Sequence, residues 1–348
     1  MSGGVDSSVT AALLQEQGYE PIGVFMCAGL APDERAAGDE PSRGPRRCCS
    51  PNDSADARRV AMRLGIPFSV LDFAPDFDRL IERFCEDYGH GRTPNPCVDC
   101  NRDLKFGRLL EVADAAGARF VATGHYARVE WEAGRWRLKR GLDREKDQSY
   151  FLFAVPPDRL EHIRLPLGEL TKPEVRRIAR DLGLPVHDKA ESQDVCFVRT
   201  APADLVRERR PDLMRPGPVL DMDGREVARH EGVAHFTIGQ RRGLGVAIRA
   251  VDATVVIGPV ETLRSPGLVA ERVIWHETVP MEPLRAEVQI RYRHAAAPAW
   301  ITRLDEAGGG RAEVRFDEPQ PAVTPGQAAV FYREDRVLGG GWITASRL

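Results

Sequence analysis

The first residues of the chain combine side chains and a spacing suited to binding an anion. The run reads Ser-Gly-Gly-Val-Asp-Ser-Ser, and its paired glycines allow a tight turn and a close backbone approach to a ligand. The Asp and Ser residues that follow are typical helix caps, and they predict a helix over Val9–Gln17. A helix N-terminus presents unpaired N–H groups and the positive end of the helix dipole, so the run predicts an anion site. This glycine loop consists of Ser2, Gly3, Gly4, Val5, Asp6, Ser7 and Ser8.

The glycine loop differs from the commonest phosphate loop. It lacks the Gly-Lys-Ser/Thr ending, which excludes the usual ATPase motif. Its sequence resembles instead the pyrophosphate loop of the ATP pyrophosphatases, which cleave ATP between its α- and β-phosphates.

Cysteines form the second group of residues with a chemical role. Cys97 and Cys100 make a Cys-x-x-Cys pair, and Cys196 lies in a separate polar run. Seven cysteines in a chain without a secretory leader predict thiol, metal or redox chemistry in a reducing cytoplasm rather than structural disulfides. A thiolate with a lowered pKa is nucleophilic near neutral pH. The other cysteines are expected in structural positions: Cys27, Cys48, Cys49 and Cys85.

The composition is that of a globular protein with two or three domains. A length of 348 residues exceeds what one hydrophobic core usually supports. Hydrophobic residues make up 42% of the chain and charged residues 29%, and no apolar run reaches the length of a membrane span. The net charge of −3 predicts that any nucleic-acid contact comes from local basic patches.

The elements that must position these residues alternate between strand and helix in the first half of the chain. This alternation predicts an α/β domain with a parallel sheet. Ligands of such sheets bind at the carboxyl ends of the strands, where Met26 and Gly124 stand. The predicted strands are Pro21–Met26, Phe68–Phe73 and Phe120–Thr123, and the predicted helices are Ala55–Leu64, Phe77–Tyr88 and Leu104–Ala116.

A buried strand normally leads into a loop of this kind. The given sequence begins at Met1, directly before the glycine loop. A sheet without that central strand would expose apolar helix faces, so we expect a weakened core in the chain as written.

The second half of the chain changes character after about residue 200. Short strands separated by Gly and Pro turns predict an all-β barrel or sandwich at the C-terminus. The predicted strands are Glu287–Tyr292, Trp300–Leu304, Ala312–Phe316, Ala328–Tyr332 and Gly341–Thr344.

Ordered motifs along nearly the whole chain resemble the tRNA-specific 2-thiouridylases. The resemblance implies an ATP-pyrophosphatase domain over 1–198, a small central tRNA-binding domain over 199–262 and a C-terminal β-barrel over 263–348. The motifs are the glycine loop, Cys48-Cys49-Ser50, Thr93–Phe106, Thr123–Arg128, Asp147–Leu152, Glu191–Phe197, Thr237–Gly245, Arg291–Arg293 and Ala322–Gln327.

The resemblance implies a reaction in two steps on a wobble uridine of tRNA. ATP with Mg²⁺ first transfers AMP to the C2 oxygen of the base, and sulfur then displaces AMP. Cys196 is implied as the persulfide carrier, loaded by an upstream sulfur donor. Cys100 is implied as the nucleophile that frees the sulfur and leaves a Cys100–Cys196 disulfide, which a reductant resets.

Cys97 departs from a well-known form of the family, which carries Asp at this position. Three thiolates, from Cys97, Cys100 and Cys196, also suit a 4Fe–4S cluster whose fourth iron holds a sulfide. The sequence leaves the cluster and the persulfide–disulfide route both open. A zinc site is disfavoured because no fourth Cys or His follows at ligand spacing.

The resemblance also implies the contacts to ATP and to tRNA, and no contact with DNA or a membrane. The glycine loop, Met26 and Gly124 would hold ATP, and an Arg242–Arg291–Arg293 patch would face RNA phosphates. The base must leave the anticodon stack to reach the cysteines. The implied tRNA contacts are Asn95, Pro96, Cys97, His125, Lys146, Asp147, Gln148, Arg291, Tyr292 and Gln327.

Two other classes of protein share part of this pattern. An amide-forming or argininosuccinate-type synthetase would need the glycine loop but not the cysteines Cys100 and Cys196. A non-catalytic iron–sulfur or zinc scaffold would need the cysteines but not the loop.

Overall fold

The chain forms two compact units. The computed structural model describes residues 1–29, 51–190, 195–198, 200–239, 245–249, 252–305 and 310–347. The first unit comprises Met1–Ile81, Asp103–Ser149 and Asp158–Arg199. The second unit comprises Glu82–Arg102, Tyr150–Pro157 and Thr200–Leu348.

Parallel strand pairs form the sheets of the first unit. Strand β1 (Gly23–Cys27) pairs with β2 (Phe68–Asp72). Strand β3 (Val121–Ala122) pairs in the same sense with β6 (Ile163–Arg164). The predicted parallel α/β arrangement is therefore confirmed.

The helices of the first unit bury valines against one another. Val9, Val60 and Val175 share one core and are each 0% exposed.

No helix in the described ranges is long and apolar enough to cross a membrane. The α-helices of the described residues are α1 (Val5–Glu16), α2 (Pro51–Leu64), α3 (Ala74–Gly89), α4 (Pro96–Asp99), α5 (Leu109–Ala115), α6 (Ser149–Leu152), α7 (Lys172–Asp181) and α8 (Pro202–Arg209). The 3₁₀ helices are Pro157–His162, Pro166–Glu169, Pro211–Leu213, Val233–His235 and Val260–Leu263.

Helix α1 begins earlier than the sequence predicted. Gly4 is its N-cap, and Asp6, Ser7 and Ser8 form its first turn instead of preceding it. The Ser8 hydroxyl donates to the Gly4 carbonyl oxygen at 2.8 Å, so it does not cap a backbone N–H. Inside a helix, a serine hydroxyl can donate to the carbonyl oxygen four residues earlier. Ser8 makes this bond instead of the N-cap bond that the sequence predicted.

The predicted helix Leu104–Ala116 is also wrong in form. A π-helix spans Cys100–Arg108 and α5 follows it, with a non-helical backbone at Phe106 (φ −112°, ψ 17°). The Phe106 carbonyl accepts a hydrogen bond from Arg159 Nη1 at 2.8 Å. A side chain that donates to a backbone carbonyl in this way interrupts the regular pattern of hydrogen bonds in the helix.

An antiparallel hairpin in the first unit was not predicted. Strands β4 (Ala127–Glu132) and β5 (Arg135–Arg140) pair across a two-residue turn, with Trp131 opposite Trp136. The hairpin carries opposite charges on neighbouring positions, such as the Lys139–Glu130 ion pair at 2.8 Å. Because the two strands contain many charged residues, the alternation of apolar and polar residues that identifies strands was not recognised.

The second unit contains a four-stranded sheet. Its order is β8-β7-β10-β9, and the parallel pair is β7–β10. Val219 and Val255 of this sheet pack with Val233 in a small core. The strands are β7 (Gly217–Leu220), β8 (Glu226–His230), β9 (Gly245–Arg249) and β10 (Thr254–Gly258).

The C-terminal strands close into a six-stranded antiparallel barrel. Closure is made by β11 pairing with both β14 and β16. The interior includes Val288, Ile301 and Phe331, each 0% exposed. The barrel confirms the predicted all-β domain, although its first strand was missed. The strands are β11 (Arg264–Trp275), β12 (Leu284–Gln289), β13 (Ala297–Arg303), β14 (Arg311–Pro321), β15 (Ala328–Arg333) and β16 (Arg336–Arg347).

Candidate functional site

The glycine loop makes two contacts that only glycine permits. Gly3 has a φ of +71°, and a Cβ there would lie 2.2 Å from the Asp53 carbonyl oxygen. A Cβ on Gly124 would lie 2.8 Å from the Asp6 carbonyl carbon and 2.9 Å from the Ser7 nitrogen. The loop and the segment after β3 therefore lie in direct backbone contact.

The loop is shaped for an anion at the start of α1. Its N-cap Gly4 is extended and makes no side-chain cap. Ser7 Oγ accepts from the Ser2 backbone nitrogen at 3.1 Å and donates to the Gly4 carbonyl at 3.2 Å, which closes the turn. The first backbone N–H groups of a helix have no acceptor within it, and they are available to a phosphate.

Asp6 is held by two side chains from distant parts of the first unit. Lys172 Nζ donates to its two carboxylate oxygens at 2.7 and 2.8 Å. Tyr126 Oη donates to Asp6 Oδ1 at 2.8 Å. Both carboxylate oxygens are thus occupied by protein donors, so Asp6 shapes the loop and does not present an open pair of oxygens to a metal ion.

Lys189 fixes the glycine turn to helix α2. Its ammonium donates to the Gly3 carbonyl at 2.8 Å, to Asp53 at 2.6 Å and to Asp56 at 2.5 Å. Burial alone would lower the pKa of Lys189, but the bonds to the two aspartates outweigh it and raise the pKa above its usual value. The ammonium is therefore a permanent charge at neutral pH.

Sequence reasoning missed both lysines. They lie 166 and 186 residues from their partners Asp6 and Gly3, and no motif connects them. One signal was available: the basic residues are almost all Arg, and the few lysines stand out against them. Lysine offers a compact ammonium where several acceptors converge, which the planar guanidinium of Arg cannot do.

His125 is a buried neutral side chain. It is 7% exposed, and its Nδ1 lies 2.7 Å from Thr123 Oγ1. Burial and then the positive charge of Lys105 hold the pKa of His125 well below its usual value. The centroid of its ring lies 6.0 Å from that of Phe106, the residue with non-helical backbone angles inside the π-helix.

The segment of Lys146, Asp147 and Gln148 builds a turn. Asp147 is 8% exposed, and its carboxylate accepts from the backbone nitrogens of Gly141 at 2.9 Å and Ser149 at 3.1 Å. Gln148 exchanges hydrogen bonds with Tyr126 through its backbone and side chain, at 2.8 and 3.0 Å. Asp147 and Gln148 therefore position the backbone of the segment next to Tyr126.

In the second unit, Cys97 and Cys100 lie three residues apart along helix α4 and the π-helix that continues it. Residues at this spacing share one helix face. Asn95 is the N-cap of α4 and Pro96 its first residue, where proline's missing N–H costs nothing. Both thiols are partly exposed.

The residues before the cysteines are anchored on the barrel. The Thr93 nitrogen donates to the Pro325 carbonyl at 2.9 Å, and Gln327 Nε2 donates to the Thr93 carbonyl at 2.7 Å. Gly326 has a φ of +93°, and a Cβ there would lie 2.9 Å from the Thr93 nitrogen. Gln327, a predicted tRNA contact, is therefore brought beside the cysteine helix.

An aromatic group lies next to this anchor. The Tyr292 and Phe151 rings contact each other with centroids 4.3 Å apart and planes tilted by 40°, and the Tyr150 ring lies 6.3 Å from that of Tyr292. Burial raises the pKa of Tyr150, whose hydroxyl donates to the Ala328 carbonyl at 3.0 Å and also bonds Asn95. Gln289 fixes the turn at Arg291 and Tyr292 by donating to both of their carbonyls, at 3.1 and 2.6 Å.

The predicted site residues thus fall into two groups. The second unit brings together Asn95, Pro96, Cys97, Cys100, Arg291, Tyr292 and Gln327. The first unit holds the glycine loop, Met26, Gly124, His125, Lys146, Asp147, Gln148 and Cys196. Cys48, Cys49 and Arg242 lie outside the described residues.

The described residues do not bring together enough side chains to bind a metal ion. Cys97 and Cys100 supply two thiols, and across the described ranges no three His, Cys, Asp or Glu side chains are grouped to hold a metal ion. None of the described cysteines forms a disulfide. Cys85 is buried with a pKa raised to about 11 by that burial, as expected for a structural thiol.

Family profiles match three consecutive parts of the chain. One described as the tRNA methyl transferase HUP domain matches residues 1–200. One described as the tRNA methyl transferase PRC-barrel domain matches residues 204–257, and one described as the aminomethyltransferase beta-barrel domain matches residues 265–343. The fold is therefore that of a HUP domain followed by two β-domains.

Curated relatives match the chain over almost its full length. The tRNA-specific 2-thiouridylase MnmA of Rhodopirellula baltica is 48% identical over 99% of this chain and 95% of its own. Proteins of the same name from Geobacter metallireducens and Carboxydothermus hydrogenoformans are 48% and 47% identical, each over 99% of this chain and 96% of their own. The chain belongs to the tRNA-specific 2-thiouridylase MnmA family.

Proposed function

We propose that this protein is a tRNA-uridine 2-sulfurtransferase, which replaces the C2 oxygen of a wobble uridine by sulfur at the expense of ATP. The observation that carries the proposal is the 48% identity to a tRNA-specific 2-thiouridylase over 99% of the chain. The glycine loop at the start of α1 and the two cysteines Cys100 and Cys196 are the chemical groups that such a reaction requires. The domain limits 1–198, 199–262 and 263–348 are proposed on the same basis.

The first step activates the uridine. The C2 oxygen attacks the α-phosphorus of ATP, the new O–P bond forms, and the bond to the β-phosphate oxygen breaks with its electron pair going to pyrophosphate. The uridine N3 proton is released to solvent. The loop N–H groups and the dipole of α1 stabilise the charge that gathers on the phosphates.

The second step delivers sulfur. The Cys100 thiolate attacks Sγ of the Cys196 persulfide, a disulfide forms between the two residues, and the outer sulfur leaves as hydrosulfide. Hydrosulfide attacks C2, AMP leaves with the C–O electron pair, and the proton of hydrosulfide ends on N3. The two electrons that reduce the persulfide sulfur come from the two thiolates, and an external dithiol later reduces the disulfide. A sulfur-donor protein must reload Cys196.

In this scheme Mg²⁺ would bind to the phosphates of ATP. Magnesium binds phosphate oxygens and water readily and needs only one or two protein carboxylates. Asp6 already accepts from Lys172 and Tyr126, so we assign it to loop shape. Met26, at the carboxyl end of β1, and Gly124 are proposed to flank the adenosine.

The 4Fe–4S alternative is not adopted. A cluster needs at least three closely grouped thiolates, and the described residues show no such group of ligands. We therefore derive no step through a cluster and assign Cys97 to the pocket of the target base.

The tRNA contacts are proposed from the two groups of site residues. Tyr292 and Phe151, whose ring centroids are 4.3 Å apart, are aromatic side chains of the kind on which unstacked RNA bases pack. Asn95 and Pro96 stand at the start of the cysteine helix, where a flipped uridine must enter. His125, Lys146, Asp147, Gln148, Arg291 and Gln327 are proposed to complete the RNA surface.

The proposal is tested by AMP release with matched tRNAs. We expect pyrophosphate and AMP from ATP only with a tRNA that carries uridine at the wobble position, and not with the same tRNA carrying cytidine there. Equal AMP release without tRNA, stimulated by an amino acid or ammonia, would identify an amide- or argininosuccinate-type synthetase instead.

Replacing Cys97 separates the two sulfur routes. We expect Cys97→Ser and Cys97→Asp to keep thiolation within about threefold of the unchanged protein, a cost below about 1 kcal/mol, because neither thiolate of the persulfide route is removed. Persulfide-fed, iron-free protein is assayed for 2-thiouridine. Iron and visible absorbance that disappear together with activity in Cys97→Ser would contradict the route.

A further inference from the structure

Strand β11 is irregular at Arg272. Its pairing with β16 shifts register between Glu271 and Ile274, and Arg272 has a φ of +53°. This left-handed region is unfavourable for a residue with a large side chain and is better suited to Gly or Asn. A β-bulge redirects a side chain, and strained positions of this kind are frequent at functional sites. The chain therefore gives up stability at the position where it places this arginine.

The Arg272 side chain packs on a buried tryptophan that a second arginine also contacts. Trp342 of β16 is 5% exposed. The Arg272 Cζ atom lies 4.2 Å from the centroid of its ring, and the Arg102 Cζ atom lies 5.1 Å from it. A cation is attracted to an indole ring, but two cations at one ring repel each other. All three residues belong to the second unit.

The protein does not neutralise the guanidinium of Arg272. Although the residue is exposed, the described residues give its guanidinium no hydrogen bond and no ion pair. Loss of water around the group lowers the pKa of Arg272, and Arg102 lowers it further, whereas Asp99 opposes the shift. Asp99 is itself paired with Arg102 at 2.8 Å. Arg272 therefore has donors available for an additional anion.

The charges around Arg272 leave the cluster positive. The charged side chains that act on Arg272 are Asp99, Arg102, Asp87 and Arg83. With Arg272 itself, these are three arginines against two aspartates. Asp87 is also shared with Arg92, to which it is paired at 2.6 Å. The cluster thus attracts an anion from outside the protein.

A phosphate group fits this cluster. The planar guanidinium binds phosphate oxygens through two parallel N–H groups, and packing on an aromatic ring holds its plane without using those groups. Arg102 lies two residues after Cys100 in the helical segment of the cysteines. Residues two apart do not share a helix face, and a helix is about 10 Å across, so an anion at Arg102 lies about one helix width from the thiol. This separation suits the backbone of an RNA strand whose base reaches the cysteines.

We propose that Arg272, Arg102 and the Trp342 ring form a binding site for a backbone phosphate of tRNA. The phosphate supplies the acceptor that Arg272 lacks within the protein, and the ring keeps both guanidinium groups in position. The site contacts no base edge, so it adds affinity for tRNA without distinguishing one tRNA from another. This inference rests on the proposed function, because it takes tRNA as the substrate.

The test is tRNA binding by Arg272→Asn, since asparagine tolerates the left-handed backbone. We expect the Kd for tRNA to rise at least about fivefold and the slope of log affinity against log salt concentration to fall in magnitude by roughly 1, the effect of one lost phosphate contact. The loss should be equal for tRNAs with uridine and cytidine at the wobble position. The kcat of thiolation at saturating tRNA should change less than about twofold. The temperature of thermal unfolding should not fall, because a strained residue has been removed.

Arg285→Asn is the matched control. The Arg285 Cζ atom also lies over a tryptophan of the barrel, 5.5 Å from the Trp300 ring centroid, but Asp317 neutralises this arginine through an ion pair. We expect its Kd for tRNA to stay within about twofold of that of the unchanged protein. Arg272→Gly is the second variant at the site, with the same expected loss as Arg272→Asn.

Three results would overturn the assignment. The first is an unchanged tRNA Kd and salt slope in the folded Arg272 variants. The second is an equal loss in Arg285→Asn, which would indicate an effect of net charge alone. The third is weaker binding of inorganic phosphate without weaker binding of tRNA, which would identify a site for a free anion. Unchanged protein that binds tRNA but forms no AMP with it would contradict the proposed function instead.

Discussion

We expect replacement of Cys100 or Cys196 by serine to abolish 2-thiouridine formation, while release of pyrophosphate from ATP continues in the presence of tRNA. A serine hydroxyl cannot carry a persulfide at 196, and at 100 it is not a nucleophile toward sulfur near neutral pH. AMP transfer depends on the glycine loop and not on either thiol. Thiouridine is measured by mass spectrometry of digested tRNA, and pyrophosphate in a parallel assay.

Cys85→Ser is the matched control for the two cysteine variants. Cys85 is buried, its thiol lies 3.9 Å from the Leu205 carbonyl, and its raised pKa keeps it protonated. We expect normal thiolation in this variant. Thiouridine at more than about a tenth of the normal rate in Cys100→Ser or Cys196→Ser would contradict the assigned roles, since a lost nucleophile costs well over 1.4 kcal/mol.

Replacing Asp6 by alanine stops pyrophosphate release and, with it, thiolation. The change removes the carboxylate that accepts from Lys172 and Tyr126 and leaves a buried ammonium without this partner. Because this carboxylate holds Lys172 and Tyr126 at the glycine loop, we expect a fall of at least about 100-fold in kcat, which is about 2.7 kcal/mol of activation free energy. The measurement is the steady-state release of pyrophosphate at saturating ATP.

Glu16→Ala provides the control for Asp6→Ala, because Glu16 is an exposed acidic residue at the other end of α1. It should leave the rate unchanged. We also expect Asp6→Ala to bind tRNA nearly as well as the unchanged protein. A tenfold loss of tRNA affinity, about 1.4 kcal/mol, would show that the loop and the RNA surface are not separable.

Local patterns in the sequence predicted most of the fold. The parallel strands β1, β2 and β3 were found within two residues of their predicted ends because short apolar runs bounded by turns are typical of strands. Five of the six barrel strands were predicted for similar reasons. Strand β11 was missed because Arg264, Pro266, Gly267 and Arg272 interrupt its alternation.

Tertiary contacts explain the elements that sequence reasoning got wrong. Arg159, which lies 53 residues further along the chain, donates a hydrogen bond to the Phe106 carbonyl. This bond interrupts the helix that the sequence predicted. The first turn of α1 bonds its serine hydroxyls back to Gly4, which a list of capping residues does not reveal. The first case depends on a partner that is distant in the sequence, whereas the second is a local bond between residues three and four positions apart.

Some residues of the candidate site were predicted from motifs, and others were identified only in the structure. Motifs identified the glycine loop and the cysteines, and the structure adds the geometric need for Gly3, Gly124 and Gly326. Motifs did not identify Lys172 and Lys189, since the carboxylates that they bind lie more than 130 residues away in the chain. The neutral state of His125 also required the structure, because it follows from burial.

The most direct test of the account is the nucleoside at the wobble position after one reaction. Protein, ATP, Mg²⁺, an isotopically labelled persulfide donor and unmodified tRNA are combined, and the anticodon fragment is analysed by mass spectrometry. We expect one labelled sulfur at C2 of the wobble uridine for each AMP formed. AMP without labelled 2-thiouridine, or sulfur at another nucleoside, would contradict it.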